Sequence, residues 1–356
     1  MNLDEYVTDL QRRTDLLETK VGVDTTPSIG NWKTPTLTNS WLNYGSGWQD
    51  AQYARDNSGW VHIRGFVKLG SEVAPAFTLP VGYRPDIRKY TKGQNAGAPG
   101  VFYVNTDGTV MLTPSVFGGN NSWVGINYSF NTPDAIKIPF EFRGNQGRSW
   151  VTWPPTDITQ YGWPAMLPHK NGMIQSTGLV TGGVSATSVM WPIGSEYTLD
   201  RVSLFGNIAG TAGVWTRIDI GHGTFFQWGT GSFNTSWCSL EGFIWPGPGT
   251  RGKWTDLTLL AGNTAFGDEY HTPAYYKDPS GWVHLKGMLR GGTLTSGTGI
   301  ATLPAGFCPP AHGMHRGQTE GPATQLISIM SSGGIALSGN ANGWLSLDGI
   351  HFHTTT

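Results

Sequence analysis

Along most of the chain apolar and polar residues alternate one by one, and only the first twenty or so residues depart from that rhythm. In Trp60-Val61-His62-Ile63-Arg64, residues Trp60, His62 and Arg64 fall on one face and Val61 and Ile63 on the other, as in a half-buried strand. Phe102 to Leu112 reads as a hairpin turning at Asp107-Gly108, and Ser332-Gly333-Gly334 takes the same place further on. Leu79-Pro80 cannot lie in a central strand, because proline removes a ladder donor, so Leu-Pro-x-Gly marks a strand end running into a turn. At the front the period changes. Leu3, Val7, Leu10, Thr14, Leu17 and Val21 step alternately by four and three, the a/d seam of about three heptads. Asn2 and Glu5 form a capping pair and Gly22 a C-cap. Residues 1–27 are therefore predicted to be a coiled-coil attachment helix, with Arg13 and Glu18 paired between chains. A lone amphipathic helix docked on its own domain is the other reading of the same stripe.

The strand pattern recurs. Gly59-Trp60-Val61-His62-Ile63-Arg64-Gly65 returns 222 positions later as Gly281-Trp282-Val283-His284-Leu285-Lys286-Gly287. Trp32, Leu37, Tyr53 and Asp56 match Trp254, Leu259, Tyr275 and Asp278 at the same offset. Leu79-Pro80-Val81-Gly82-Tyr83 matches Leu303-Pro304-Ala305-Gly306-Phe307. A more divergent copy lies between, where Trp237-Cys238-Ser239-Leu240-Glu241-Gly242 precedes Trp344-Leu345-Ser346-Leu347-Asp348-Gly349 by 107 positions. There Gly172 and Gly178 stand 109 before Gly281 and Gly287, Met173 and Gln175 replace the Trp and His, and Trp191-Pro192-Ile193-Gly194 replaces Leu-Pro-Ala-Gly. The copies are predicted to span 28–145, 150–247 and 254–356, each an antiparallel β-sandwich of jelly-roll type, in an all-β chain. Short Gly-rich stretches at 143–148 and 246–252 imply stacked domains rather than tethered ones.

Composition agrees with many short strands. Of 356 residues, 51 are Gly, 12% are aromatic and only 13% are charged. A net charge of -1 gives no field to draw nucleic acid or an anionic membrane. The two cysteines, Cys238 and Cys308, fall in different copies and read as small apolar side chains. The opening Met-Asn-Leu-Asp-Glu lacks the basic and apolar regions of a secretory signal, and no stretch is long enough in apolar residues to span a bilayer.

The repeated constellation is Tyr, Asp, then Gly-Trp-Val-His-Leu/Ile-Lys/Arg-Gly, then Leu-Pro-Ala/Val-Gly-Phe/Tyr-x-Pro. It resembles the repeated β modules of minor tail proteins and tail fibres of tailed bacteriophages, particularly phages of actinobacteria. The resemblance covers the outer copies, while the middle one departs at Met173, Gln175 and Trp191. It implies a virion tail component, assembled in the host cytoplasm as a homotrimer, joined to other tail or baseplate proteins by its N-terminal helix and binding a host-surface glycan. A polysaccharide-degrading tailspike, a cellular lectin-like adhesin, and a purely structural tail-tip, baseplate or head-fibre part remain alternatives.

No nucleophile-elbow, zincin, Walker or Cys-His zinc motif is present, so no catalytic residues and no enzyme activity are expected. Most acids sit in turns; Glu141, Glu196, Asp200 and Asp219 do not, which leaves a hydrolytic site between chains open. Two constellations carry candidate chemistry. Trp60, His62 and Arg64, with Trp282, His284 and Lys286, place an aromatic beside a cation, suited either to stacking a sugar or to packing between domains or chains. His351-Phe352-His353 puts two imidazoles on one strand face; near a trimer axis six nitrogens would suit an octahedral transition metal, and otherwise the pair is polar surface. Trp123, Trp237 and Trp344 read as core or interface anchors, and Lys89–Gly100, Val116–Ser122 and Ala311–Pro322 as variable loops able to contact glycan.

Overall fold

The computed structural model describes residues 29–57, 59–96, 99–113, 120–132, 138–139, 151–152, 165–169, 171–181, 202–209, 215–221, 225–228, 237–240, 242–268, 270–320, 324–341 and 343–354. The heptad positions Leu3 to Val21, Trp191, Glu141, Glu196 and Asp200 lie outside them. Every paired strand is antiparallel, and a single 3-10 turn at Pro248–Thr250 is the one helical element among the described residues. None of these elements is a helix long and apolar enough to cross a membrane.

One small sheet occurs three times. In the first copy it consists of β1 (Gln52–Arg55), β2 (Trp60–Arg64) and β3 (Tyr128–Asn131), with β2 in the centre. In the middle copy it consists of β4 (Ala165–Pro168), β5 (Met173–Thr177) and β6 (Ile244–Pro246), and in the third of β7 (Ala274–Lys277), β8 (Trp282–Lys286) and β9 (His351–His353). The turn entering each central strand is built alike. The Asp56, His169 and Asp278 N–H groups donate to the carbonyls of Trp60, Met173 and Trp282, at 2.8 to 2.9 Å. Gly59, Gly172 and Gly281 hold these turns at φ of 85 to 90°, where a Cβ would be strained. Ile138–Pro139 lies within the 28–145 span read from the sequence, yet it pairs with Ala165 and Met166 of the middle sheet. Thr255–Asp256 makes the equivalent pairing to β7 in the third copy.

A second layer faces each outer sheet. In the first copy seven strands run in the order Leu42–Asn43, Phe66–Lys68, Asn120–Gly125, Lys89–Ala96, Pro99–Val104, Thr109–Thr113, Phe77–Thr78. The third copy repeats that order as a three-stranded and a four-stranded piece, joined by the Thr319–Leu345 bridge. Val61 and Ile63 pack with Val67, Phe102, Leu112 and Val124 in one core; Val283 and Leu285 pack with Leu289, Ile327, Ile335 and Leu345 in another. The two cores share no residue.

The resemblance-bearing motifs serve this framework. Gly82 and Gly306 adopt φ of 89 and 86°, and Tyr83 and Phe307 meet Tyr53 and Tyr275 edge-on at 5.0 and 4.9 Å. The hairpin turns at Asp107-Gly108 and at Gly333 are found as expected; Asp107 accepts the Thr109 N–H at 2.9 Å. The segments read as glycan loops are largely strands: Lys89–Ala96 pairs with Pro99–Val104, Asn120–Gly125 lies in the same sheet, and Gly313–Gln318 pairs with Thr324–Ile329. Their Gly and Asn content obscures the alternation, and neighbouring strands impose the extended backbone that local composition does not.

Candidate functional site: a buried histidine junction between the copies

Alternation along β2 and β8 sends Val and Ile or Leu into the cores, so Trp60, His62 and Arg64 and their counterparts Trp282, His284 and Lys286 point out of the opposite face. That face is covered by the other copies. Trp60, His62, Trp282 and His284 are only 3 to 7% exposed. Of the two readings of this stripe, sugar stacking or packing between domains, the covered rings fit packing between the copies.

The junction closes in a cycle. Trp60 of the first copy stacks on His169 of the middle copy, centroids 3.8 Å apart, and Gln175 donates its amide to the Ser129 carbonyl at 2.9 Å. The middle copy meets the third through Asn171, whose amide donates to Asp278 at 2.6 Å, and through Tyr276, whose hydroxyl donates to the Asn171 carbonyl at 3.3 Å. The third copy returns to the first. Trp282 lies 4.6 Å from the His62 ring and 6.0 Å from Trp32, and His353 lies 5.7 Å from Trp32.

Two Asp–His pairs sit in the middle. Asp56 accepts the Trp60 N–H at 2.9 Å, and its other oxygen lies 3.3 Å from His62 Nε2. Asp278 repeats this with the Trp282 N–H at 3.0 Å and His284 Nε2 at 3.1 Å. Sequence offset puts His169 where the Asp stands and Gln175 where the His stands, so the middle copy brings an imidazole instead of a third carboxylate. Three buried carboxylates facing one another would repel; the exchange leaves two. Burial pushes the Asp278 carboxyl up, but the hydrogen bond and charge of His284 outweigh it and hold it below the usual carboxylate range. Burial drives His169 down to about 3, aided by the charges of His62 and His284 and opposed by Asp56 and Gln175. The same cause takes His351 to about 3 and His315 to about 4, and lowers His353.

Ser129 Oγ lies 2.7 Å from His62 Nδ1, so Ser129, His62 and Asp56 are connected as nucleophile, base and orienting carboxylate would be. The cavity they line has room for only about one or two waters. The neighbouring amides of Gln175 and Asn171 are committed to the Ser129 carbonyl and to Asp278. His351 replaces the serine in the third copy. The small cavity does not offer a reacting carbonyl a place, and His169 Nε2, His284 Nδ1 and Trp282 Nε1 are buried in it without a hydrogen-bond partner among the described residues.

His351 and His353 also face inward. His351 Nδ1 is 3.2 Å from the Gly349 carbonyl, His353 Nε2 is 2.9 Å from that of Ser280, and both rings pack on Trp282 at 5.5 Å. Among the described residues no three His, Cys, Asp or Glu side chains are placed to hold a metal. Trp344 is buried, and Asp219 is buried within reach of the Tyr270 hydroxyl at 3.4 Å. His169 and Asn171 escaped the sequence reading, although the 109-residue offset fixed by Gly172 and Gly178 aligns them with Asp278 and Ser280.

Arg64 clamps the rim. Its Nε and Nη2 donate to Gln52 at 3.1 and 2.8 Å and its guanidinium lies 3.8 Å from the Trp32 ring centre; burial lowers it to about 10. Lys286 lies over Trp254 at 4.7 Å. Arg64→Lys is expected to lose about 1 kcal/mol in thermal unfolding, because a lysine cannot make the planar double contact. Lys286→Arg should change stability by less than about 0.5 kcal/mol.

No family model, curated protein or solved structure matches this chain.

Proposed function

We propose that the chain is a structural virion protein of tail-fibre or minor-tail type whose β body engages the host surface, a glycan by the chemistry of such surfaces, without enzymatic activity. In this reading the body is three β-sandwich copies closed into a ring within one chain, and Leu3, Val7, Leu10, Thr14, Leu17 and Val21 join chains into a homotrimer and dock them on the tail. The observation that carries it is the commitment of the repeated residues. The Gly-Trp-Val-His and Leu-Pro-x-Gly motifs are spent on turns, cores and the junction, so they build a scaffold, and ligand contacts fall to positions that differ between copies. The reading is tested on phage particles carrying this chain. Antibody against the β body should label the tail by electron microscopy, and soluble full-length protein should bind host cells and reduce phage adsorption. Label on the head or none on the particle, or labelled tails with neither cell binding nor competition, would sink it.

A further inference from the structure

Six of the nine histidines meet where the copies meet: His62 from the first, His169 from the middle, and His284, His315, His351 and His353 from the third. Among the described residues the other charged ones lining the two junction cavities are Asp56, Asp278 and Arg64. Each carboxylate is already engaged by one imidazole, Asp56 by His62 and Asp278 by His284. Further protons would add like charge beside Arg64, with no third carboxylate lining either cavity among the described residues. The rings that burial holds neutral are the contacts themselves, since His169 carries Trp60, and His351 and His353 pack on Trp282. Meanwhile the apolar clusters of the first and third copies share no residue, so each stays within one copy when the copies part; of the six histidines His315 also meets the third cluster, at Phe352.

We propose that this cluster is an acid-sensitive latch: protonation of the junction histidines separates the copies from one another while each keeps its own sheets. The inference rests on the closed ring and not on a role in a virion. The sign follows from proton binding. His169 and His351 bind a proton in the closed form only near 3 and His315 near 4, whereas a solvated imidazole does so near about 6.5. Between those values the open form holds more protons, so closure is favoured above about pH 6.5 and weakens below it, up to tenfold per pH unit for each histidine. Asp278, held below the usual range, keeps its charge through most of that window.

The test is a pH titration of the full-length chain, following radius of gyration by small-angle scattering together with far-ultraviolet circular dichroism. The expected result is a reversible increase in radius between about pH 6.5 and 4 with the β signal unchanged. Loss of the β signal in step with the radius, or no expansion down to about pH 4, overturns the latch. A chain already extended at pH 8 overturns the ring itself. His169→Asn combined with His351→Asn should lower the midpoint by about one pH unit, and an unmoved midpoint counts against the proposal. Should that variant fail to fold, histidine ring proton resonances of the unaltered chain decide. Junction rings that titrate together with the expansion support the latch, and rings that titrate near 6.5 at constant size refute it.

Discussion

Asp278→Ala is expected to destabilise the third copy and its contact with the middle one by about 3–5 kcal/mol, the range for removing one partner of a buried charged pair. Its carboxylate, fully enclosed, serves three donors from two copies: the Trp282 N–H, His284 Nε2 and the Asn171 amide. Alanine leaves all three without their acceptor in a cavity that admits little water. Asp278→Asn keeps an acceptor for the Trp282 N–H and should cost about 1–2 kcal/mol. Urea unfolding monitored by tryptophan fluorescence reads both, through the midpoint of the transition that reports on Trp282. An alanine variant as stable as the asparagine one would mean that the carboxylate does not organise the junction.

Trp282→Ala should cost about 3–5 kcal/mol by the same measurement, as for other large aromatic truncations. The indole lines both junction cavities and so forms part of the wall between them. It also touches the Trp32, His62, His351 and His353 rings at 4.6 to 6.0 Å. Its loss merges two voids and releases the first copy from the third. Trp60→Ala should cost less, about 2–3 kcal/mol, because among the described residues its ring contact is the stack on His169. Equal losses at the two positions would argue against the central place given to Trp282.

Much of this architecture was legible in the chain. A period of two placed Trp60, His62 and Arg64 on one side and Val61 and Ile63 on the other, and that division is the one between junction and core. The hairpin turns and the Leu-Pro-x-Gly corners could be read because glycine at positive φ and proline at a strand end leave local chemical marks. What covers the polar face was not legible. Alternation tells which residues share a face, and says nothing of a partner arriving from another hundred residues away, as Asn171 does at Asp278. The middle copy hid its contribution further, since His169 and Gln175 exchange the residue types that its neighbours use. Ile138–Pro139 carries no period of its own in two residues, and only its pairing with β4 identifies its sheet.

The nearness of Trp32 to His353 brings the two ends of the described residues to one junction, with Ile29 bridged to Asp56 of the first copy and the Thr354 N–H donating to Gly281 of the third. The described stretch thus begins and ends beside the same junction. A circular permutant of residues 29–354, with 354 linked to 29 and opened between the first and middle copies, would present the same surfaces in the same cyclic order.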